Sequence, residues 1–168
     1  MHVTVVPVEV NDIRALITLP TAGDVIKKHC LKNNLHHEID GLSQDANLHW
    51  LADRPGKDSK VVLYFHGGGY NMSADGYHVV SASMCASKAN ASLAMLEYTL
   101  APKAHFPTQL IQAVEALKYV LSITSPSKVI ITGDSAGGHL ALSLLSHLMH
   151  PSQSLQALSL SENLGGIC

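Results

Sequence analysis

Charge is scarce in this chain. Charged residues are 14% of its 168 positions and the formal net charge is −2. No basic block stands out, which argues against nucleic acid as a partner. Apolar residues, at 46%, are abundant enough for one globular domain with a real core. Cysteine is scarce too: Cys30, Cys85 and Cys168 are odd in number and far apart. That pattern excludes a disulfide framework and reads as a reducing compartment, so a cytoplasmic setting is the expectation. Zinc spacings such as HExxH and CxxC are missing, and among 11 histidines His36–His37 is the one adjacent pair, so no metal is expected. The opening MHVTVVPVEV has neither a basic n-region nor a small-residue cleavage motif, and no apolar run is long enough to span a bilayer. Neither GxxxxGK[ST] nor GxGxxG with a following acid occurs, which disfavours a nucleotide-binding domain.

What is present is an alternation of short apolar runs and helical stripes. Val3 to Val10 reads as a strand interrupted by Pro7, hence an edge; Ile13 to Leu19 fits either a strand or a helical turn. Asp24 to Leu31 reads as a short helix, Lys32 to Asp45 as a polar loop, Leu48 to Leu51 as a strand and Arg54 to Lys60 as a turn. Val61 to Phe65 (VVLYF) has the pattern of a buried strand, and Ser92 to Leu96 and Lys128 to Thr132 are further strands. Helices are expected at Tyr77 to Ala89, at Pro107 to Ser122 with Leu110, Val114, Leu117 and Leu121 on one stripe, and at Ser135 to Met149 with Leu140, Leu144 and Leu148 on another. The final LGGIC looks like entry to another strand. The order implies an α/β fold: a mostly parallel sheet with helices on both faces and a ligand site at the carboxyl ends of the strands. Residues 1–44 form an N-terminal segment of edge strands or cap, and residues 45–168 the core.

Two glycine motifs follow strand ends. In Gly133-Asp134-Ser135-Ala136-Gly137 a strand turns abruptly into a helix, and the flanking Gly133 and Gly137 leave room for that turn. The Ser135 hydroxyl is then held out at a helix N-terminus, where unpaired N–H groups favour developing negative charge, and the Ala136 N–H is placed for an oxyanion. The competing reading is a tight turn with an N-cap serine. His66-Gly67-Gly68-Gly69 follows the VVLYF strand and suits an oxyanion hole, whose donors are each worth about 10²–10³ in turnover. The competing reading is a glycine turn or an anion nest. His66 precedes the serine and belongs to the glycine motif, so it reads as a brace for the loop and not as a catalytic base.

HGGGY (His66 to Tyr70), EYTLAPKAHFP (Glu97 to Pro107) and GDSAGG (Gly133 to Gly138), in that order, resemble the hormone-sensitive-lipase-like branch of the α/β-hydrolases over roughly Asp45 to Met149. The resemblance implies the α/β-hydrolase fold and a carboxylic-ester hydrolase, acting on a small or medium acyl ester without a cofactor. It implies Ser135 as nucleophile, N–H donors from Gly68, Gly69 and Ala136, and Gly67 shaping the turn of the oxyanion loop. Asp134 is expected to point away from substrate and is not the triad acid. The helix near Asp24 to Leu31 is placed by analogy in a cap over the acyl pocket. The chain departs from the branch at Thr99 and Lys103, where an arginine and an acid are usual.

The triad order in this fold is serine, acid, histidine. After Ser135 the one acid is Glu162, and His139, His147 and His150 all precede it. His139 lies one turn along the serine's own helix, which carries it away from the hydroxyl. The expectation is that acid and base lie in a continuation of the chain. The alternative is a non-catalytic hydrolase fragment that acts, if at all, by binding. An interrupted sheet of this kind would leave an unpaired edge suited to self-association.

Overall fold

The computed structural model describes residues 20–151, 155 and 157–167. The strand expected at Val3 to Val10 and the undecided stretch Ile13 to Leu19 lie outside them. In chain order the elements are α1 (Ala22–Lys32), β1 (His37–Gly41), β2 (Asn47–Leu51), β3 (Val61–Phe65), α2 (Gly76–Ala89), β4 (Ser92–Glu97), α3 (Thr108–Leu121), a 3₁₀ turn (Pro126–Lys128), β5 (Val129–Gly133), α4 (Ala136–Met149) and β6 (Gly166–Ile167).

The strands form one sheet in the order β1-β2-β4-β3-β5-β6. β1 and β2 are antiparallel to their neighbours, while β4, β3, β5 and β6 run parallel. The alternation of VVLYF explains why both sheet faces are covered. Val61, Leu63 and Phe65 enter one core cluster with Leu110, Val114 and Leu117 of α3 and Leu140 and Leu144 of α4. Val62 and Tyr64 point to the other face, with Ile26 and Cys30 of α1 and Val79, Ala82 and Ala86 of α2. A strand buried on both faces reads as a continuous apolar run because each face supplies its own hydrophobic layer. Leu121 and Leu148, expected on the buried stripes, are partly buried at the rim.

Element boundaries shift by a residue or two; among them, α3 begins at Thr108 after an N-cap at Pro107, β5 begins at Val129, and α4 begins at Ala136 with Ser135 in the capping position. One expectation is corrected outright. Lys32 to Asp45 is not all loop, because β1 pairs with β2 from His37↔Leu51 to Gly41↔Asn47. Its polarity belongs to an edge strand whose side chains stay half in solvent and bind across the ladder. Trp50 Nε1 donates to Asp40 at 2.7 Å, and Arg54 reaches both Asp40 and Glu38. α1 starts from a capping box in which Thr21 and Asp24 satisfy each other's backbone N–H.

The parallel registers set up the site. Phe65 at the end of β3 pairs with Gly133 at the end of β5. The chain therefore leaves both strands at the same level, and His66–Tyr70 and Asp134–Ala136 emerge side by side.

Candidate active site

At the end of β5 the backbone reverses within two residues. Ser135 has φ 48° and ψ −116°, a strained conformation for a non-glycine residue, and its side chain is exposed. The Ser135 hydroxyl makes no cap hydrogen bond to α4. The N-cap reading of this serine thus lacks the contact that defines such a cap. The first turn is held by backbone bonds instead: Gly137 N–H donates to Asp134 O at 2.7 Å and His139 N–H to Ser135 O at 3.0 Å. Ala136 opens the helix, so its N–H has no intrahelical acceptor. The reversal depends on close approach of helix and strand. A Cβ on Gly137 would fall 1.9 Å from Phe65 O.

The glycine loop lies alongside. Gly68 and Gly69 have φ of +106° and +61°, and a Cβ on Gly68 would fall 2.6 Å from Met72 O. Gly67 sits apart from these two. Its N–H donates to Asp134 Oδ1 at 3.0 Å, and a Cβ there would strike the same carboxylate. Gly67 is thus a contact point of loop and turn, and its N–H is committed.

Asp134 is the hub of this arrangement. Besides Gly67 N–H it accepts from Tyr64 OH at 2.8 Å, and His78 Nε2 stands 3.4 Å from its second oxygen. His78 Nδ1 is in turn 2.7 Å from Asp75. Burial, then the Asp134 carboxylate, holds the Tyr64 hydroxyl well above the ordinary phenol range. The residue before the serine thereby fixes the glycine loop to the turn.

His66 is buried. Its Nδ1–H donates to Gly67 O at 2.6 Å, and its ring stacks on Tyr98 with centroids 4.3 Å apart. Tyr98 OH donates to His66 O at 2.7 Å, which joins the EYTLAPKAHFP stretch to the HGGGY stretch. Burial lowers the His66 pKa, so the ring stays neutral at neutral pH. At the departures from the family pattern, Thr99 is held by amides, its N–H donating to Gln112 and its carbonyl accepting from Gln109. Lys103 pairs with Asp45 on the surface at 3.2 Å.

The residues after Ser135 separate by simple geometry. Glu162 accepts from Ser127 Oγ at 3.1 Å. Ser127 precedes the five-residue β5 and Ser135 follows it, so about 17 Å of strand lies between them. His150 follows α4, 14 residues and about 21 Å from the helix start. His147 is buried in the last turn of that helix. His139 alone is near, and its Nδ1 is hydrogen-bonded to Tyr70 OH at 2.7 Å. Among the described residues no group of three or more His, Cys, Asp or Glu is placed to hold a metal ion. Tyr70 and Tyr98 lie within the HGGGY and EYTLAPKAHFP stretches, which did not reveal their partners; Tyr64, His78 and the Gln109–Gln112 pair carry no motif signal, and only the alternation that turns Tyr64 away from Phe65 hinted at any of these.

Residues 62–161 match the family described as alpha/beta hydrolase fold. Neutral cholesterol ester hydrolase 1 of Pongo abelii is 37% identical over 94 residues, 51% of this chain and 23% of that protein. Arylacetamide deacetylase of Bos taurus is 33% identical over 97 residues, 52% of this chain and 24% of that protein. A crystal structure of an esterase/lipase from an uncultured bacterium superposes with a TM-score of 0.61 at 26% identity, over 83% of this chain and 49% of that one. The hyperthermophilic esterase of the archaeon Pyrobaculum calidifontis gives a TM-score of 0.60 at 22% identity over 90% and 56%, a likeness of fold. The chain spans about a quarter of the length of these curated relatives and about half that of the solved structures.

Proposed function

The chain belongs to the alpha/beta hydrolase fold family, in its hormone-sensitive-lipase-like branch, and on that premise we propose that it carries the nucleophile and oxyanion half of a carboxylic-ester hydrolase site. Ser135 is the nucleophile. Ala136, Gly68 and Gly69 supply N–H groups to the oxyanion formed when its oxygen adds to an ester carbonyl. Gly67, Asp134 and His66 hold those donors in place. The observation that carries this reading is the Ser135 backbone at φ 48°, with a hydroxyl that caps nothing beside a glycine loop at the same level of the sheet. Strain held at an exposed side chain needs a reason, and presenting a nucleophile is one.

The substrate in this reading is a small or medium acyl ester. The esters and amides in the relatives' names are consistent with acyl transfer, and no cofactor takes part. Activation of Ser135 needs a base, and Tyr70 already occupies Nδ1 of His139. The test is hydrolysis of a short-chain chromogenic ester by the purified chain beside Ser135→Ala. Turnover that disappears in the variant is the expected result. Equal rates in the two proteins would replace this reading with the alternative of a non-catalytic chain that acts by binding, which the distance of Glu162 from Ser135 favours.

Partners follow from the surface. Self-association belongs to the same proposal, since β6 lies at the sheet margin with Ile167 at 47% exposure and Leu142 and Met149 exposed on α4. No helix of the described residues is long and apolar enough to cross a membrane.

A further inference from the structure

α1 and α2 cover the same face of the sheet, yet they meet solvent in opposite ways. α1 exposes Asp24, Lys27, Lys28 and Lys32, with Leu31 its one exposed large hydrophobe. α2 exposes Tyr77, Val80 and Met84, at 72%, 46% and 55%. From Gly76 to Ser87 it has no Asp, Glu, Lys or Arg. A surface helix ordinarily carries charge on the side away from the core. The core side of α2 is already supplied by Val79, Ala82 and Ala86, so its outer apolar residues are not needed for packing on the sheet.

Those outer residues form a line. Tyr77, Val80 and Met84 stand at i, i+3 and i+7, and exposed Lys88 continues the line at i+11. This is the spacing of a seam between two helices. The line ends in opposite charges: Lys88 in the last turn, and at the other end the capping Asp75, whose side chain is largely exposed.

We propose that this face of α2 is the seam of an antiparallel pair formed with a second copy of the chain. A twofold axis at the level of Ala82 matches Val80 and Met84 with the partner's Met84 and Val80. It brings each Lys88 to the partner's Tyr77, where the lysine stem covers the ring and the ammonium is attracted by the ring face and by Asp75 beyond it. The face is thus complementary to itself, as a twofold contact requires. A parallel pair would set Lys88 against Lys88 and Asp75 against Asp75, and like charges at both ends would oppose it. The helix dipoles favour the antiparallel arrangement as well, since each amino end meets a carboxyl end. A 14-residue helix is about 21 Å long and 10 Å wide. That face is smaller than the roughly 800 Å² per partner of a standard interface, so the pair is weak and reversible. The surface lies apart from the β6 margin, and the inference does not depend on Ser135 being a nucleophile.

The experiment is sedimentation equilibrium of the purified chain from about 10 μM to about 1 mM, the range in which a contact of this size assembles. The expected result is a reversible monomer–dimer equilibrium. Met84→Glu should weaken it at least about tenfold, and Lys88→Ala about fivefold. Leu142→Glu, on α4, should leave it unchanged. All three positions are exposed, so the variants should melt like the parent. Oxidation by dilute hydrogen peroxide, which converts the thioether to the sulfoxide and the peroxide to water, locates the seam. Met84 should become protected as the dimer fills, while Met72, at 58% exposure, keeps its rate. A chain that stays monomeric at about 1 mM overturns the proposal. So does a dimer that Leu142→Glu abolishes and Met84→Glu does not, which would assign association to the β6 margin. Tighter association of Lys88→Ala would mean a parallel pair and overturns the antiparallel one. Met84 protected equally at every concentration in a monomer would mean that other residues of the same chain cover the line, and no second copy is needed.

Discussion

Two ends of the sheet treat polar side chains in opposite ways. At the antiparallel margin, buried His49 links His37, at 3.0 Å from Nδ1, to Glu97, at 3.1 Å from Nε2. Glu97 also accepts from Asn47 and from Gly23 N–H at the start of α1. With Glu97 ionised, His49 Nε2–H donates to it and His49 Nδ1 accepts from His37. That chain of bonds joins α1, β1, β2 and β4. At the ends of β3 and β5, the supporting groups Asp134, Tyr64, His66 and Tyr98 are equally well bonded, yet the Ser135 hydroxyl they surround caps nothing. The margin uses polar groups to fix structure. The site uses fixed polar groups to hold one strained serine in the open.

The largest way to break the site end is steric. Gly137→Ala would set a Cβ against Phe65 O, backbone that cannot yield without separating α4 from β3. A loss of at least about 3 kcal/mol is expected, read as a lowered urea midpoint or failure to fold. Asp134→Ala comes next. It leaves Gly67 N–H and Tyr64 OH without their acceptor, at about 2–3 kcal/mol together. Asp134→Asn keeps a carbonyl oxygen for Gly67 and should recover more than half of that. Should both variants melt like the parent, Asp134 does not join loop and turn.

Much of the fold was legible because its signals are local. VVLYF and the leucine stripes of α3 and α4 state strand or helix within a few residues, and the placement of HGGG and GDSAG after strands implied their meeting. β1 was not legible: HEIDG has an edge strand's polarity, and its pairing is explained by Trp50 and Arg54, 10 to 16 residues away. Ser135 and the glycines could be named from spacing alone. The clamp around Asp134 could not, since Tyr64 and Gly67 are 70 and 67 residues from it in sequence and meet it only once the β3–β5 register is known. Tyr70 and His139, 69 residues apart, are the same case. Sequence pattern locates the uncommitted group; the committed ones around it are long-range contacts.

Acid sharpens the comparison at the margin. His49, then Gly23 N–H and Asn47, hold the Glu97 carboxyl down at about 2 against an ordinary 4.5. A lowered folded-state pKa means stability that is complete above about 4.5 and is lost as pH falls toward 2. The shift corresponds to about 3 kcal/mol, reduced to about 2 because 22% of the side chain is exposed. Burial lowers His37 and His66 as well, so the unfolded chain takes up protons first and the decline begins below about 6.5. Glu97→Gln should cost about 2 kcal/mol at pH 7 and lessen the fall of the urea midpoint between pH 4.5 and 2, where Asp40 and Asp75, also lowered, still contribute, while the loss that starts near 6.5 persists. An unchanged slope below pH 4.5 would mean that the margin is not held by this carboxylate.

The smallest expected effect has the opposite sign. If Ser135 is strained in order to present its hydroxyl, removing the side chain should stabilise the protein, since glycine tolerates a positive φ that serine does not. Ser135→Gly should gain about 1 kcal/mol, a rise of a few degrees in Tm for a chain of this size. Ser135→Ala keeps a Cβ at φ 48° and should gain nothing. The pair of variants separates backbone strain from loss of the hydroxyl, because both lack the oxygen and only one relieves the strain. Equal melting of the two would make the turn a relaxed one, and its geometry could no longer be counted as evidence that this serine is held out for chemistry.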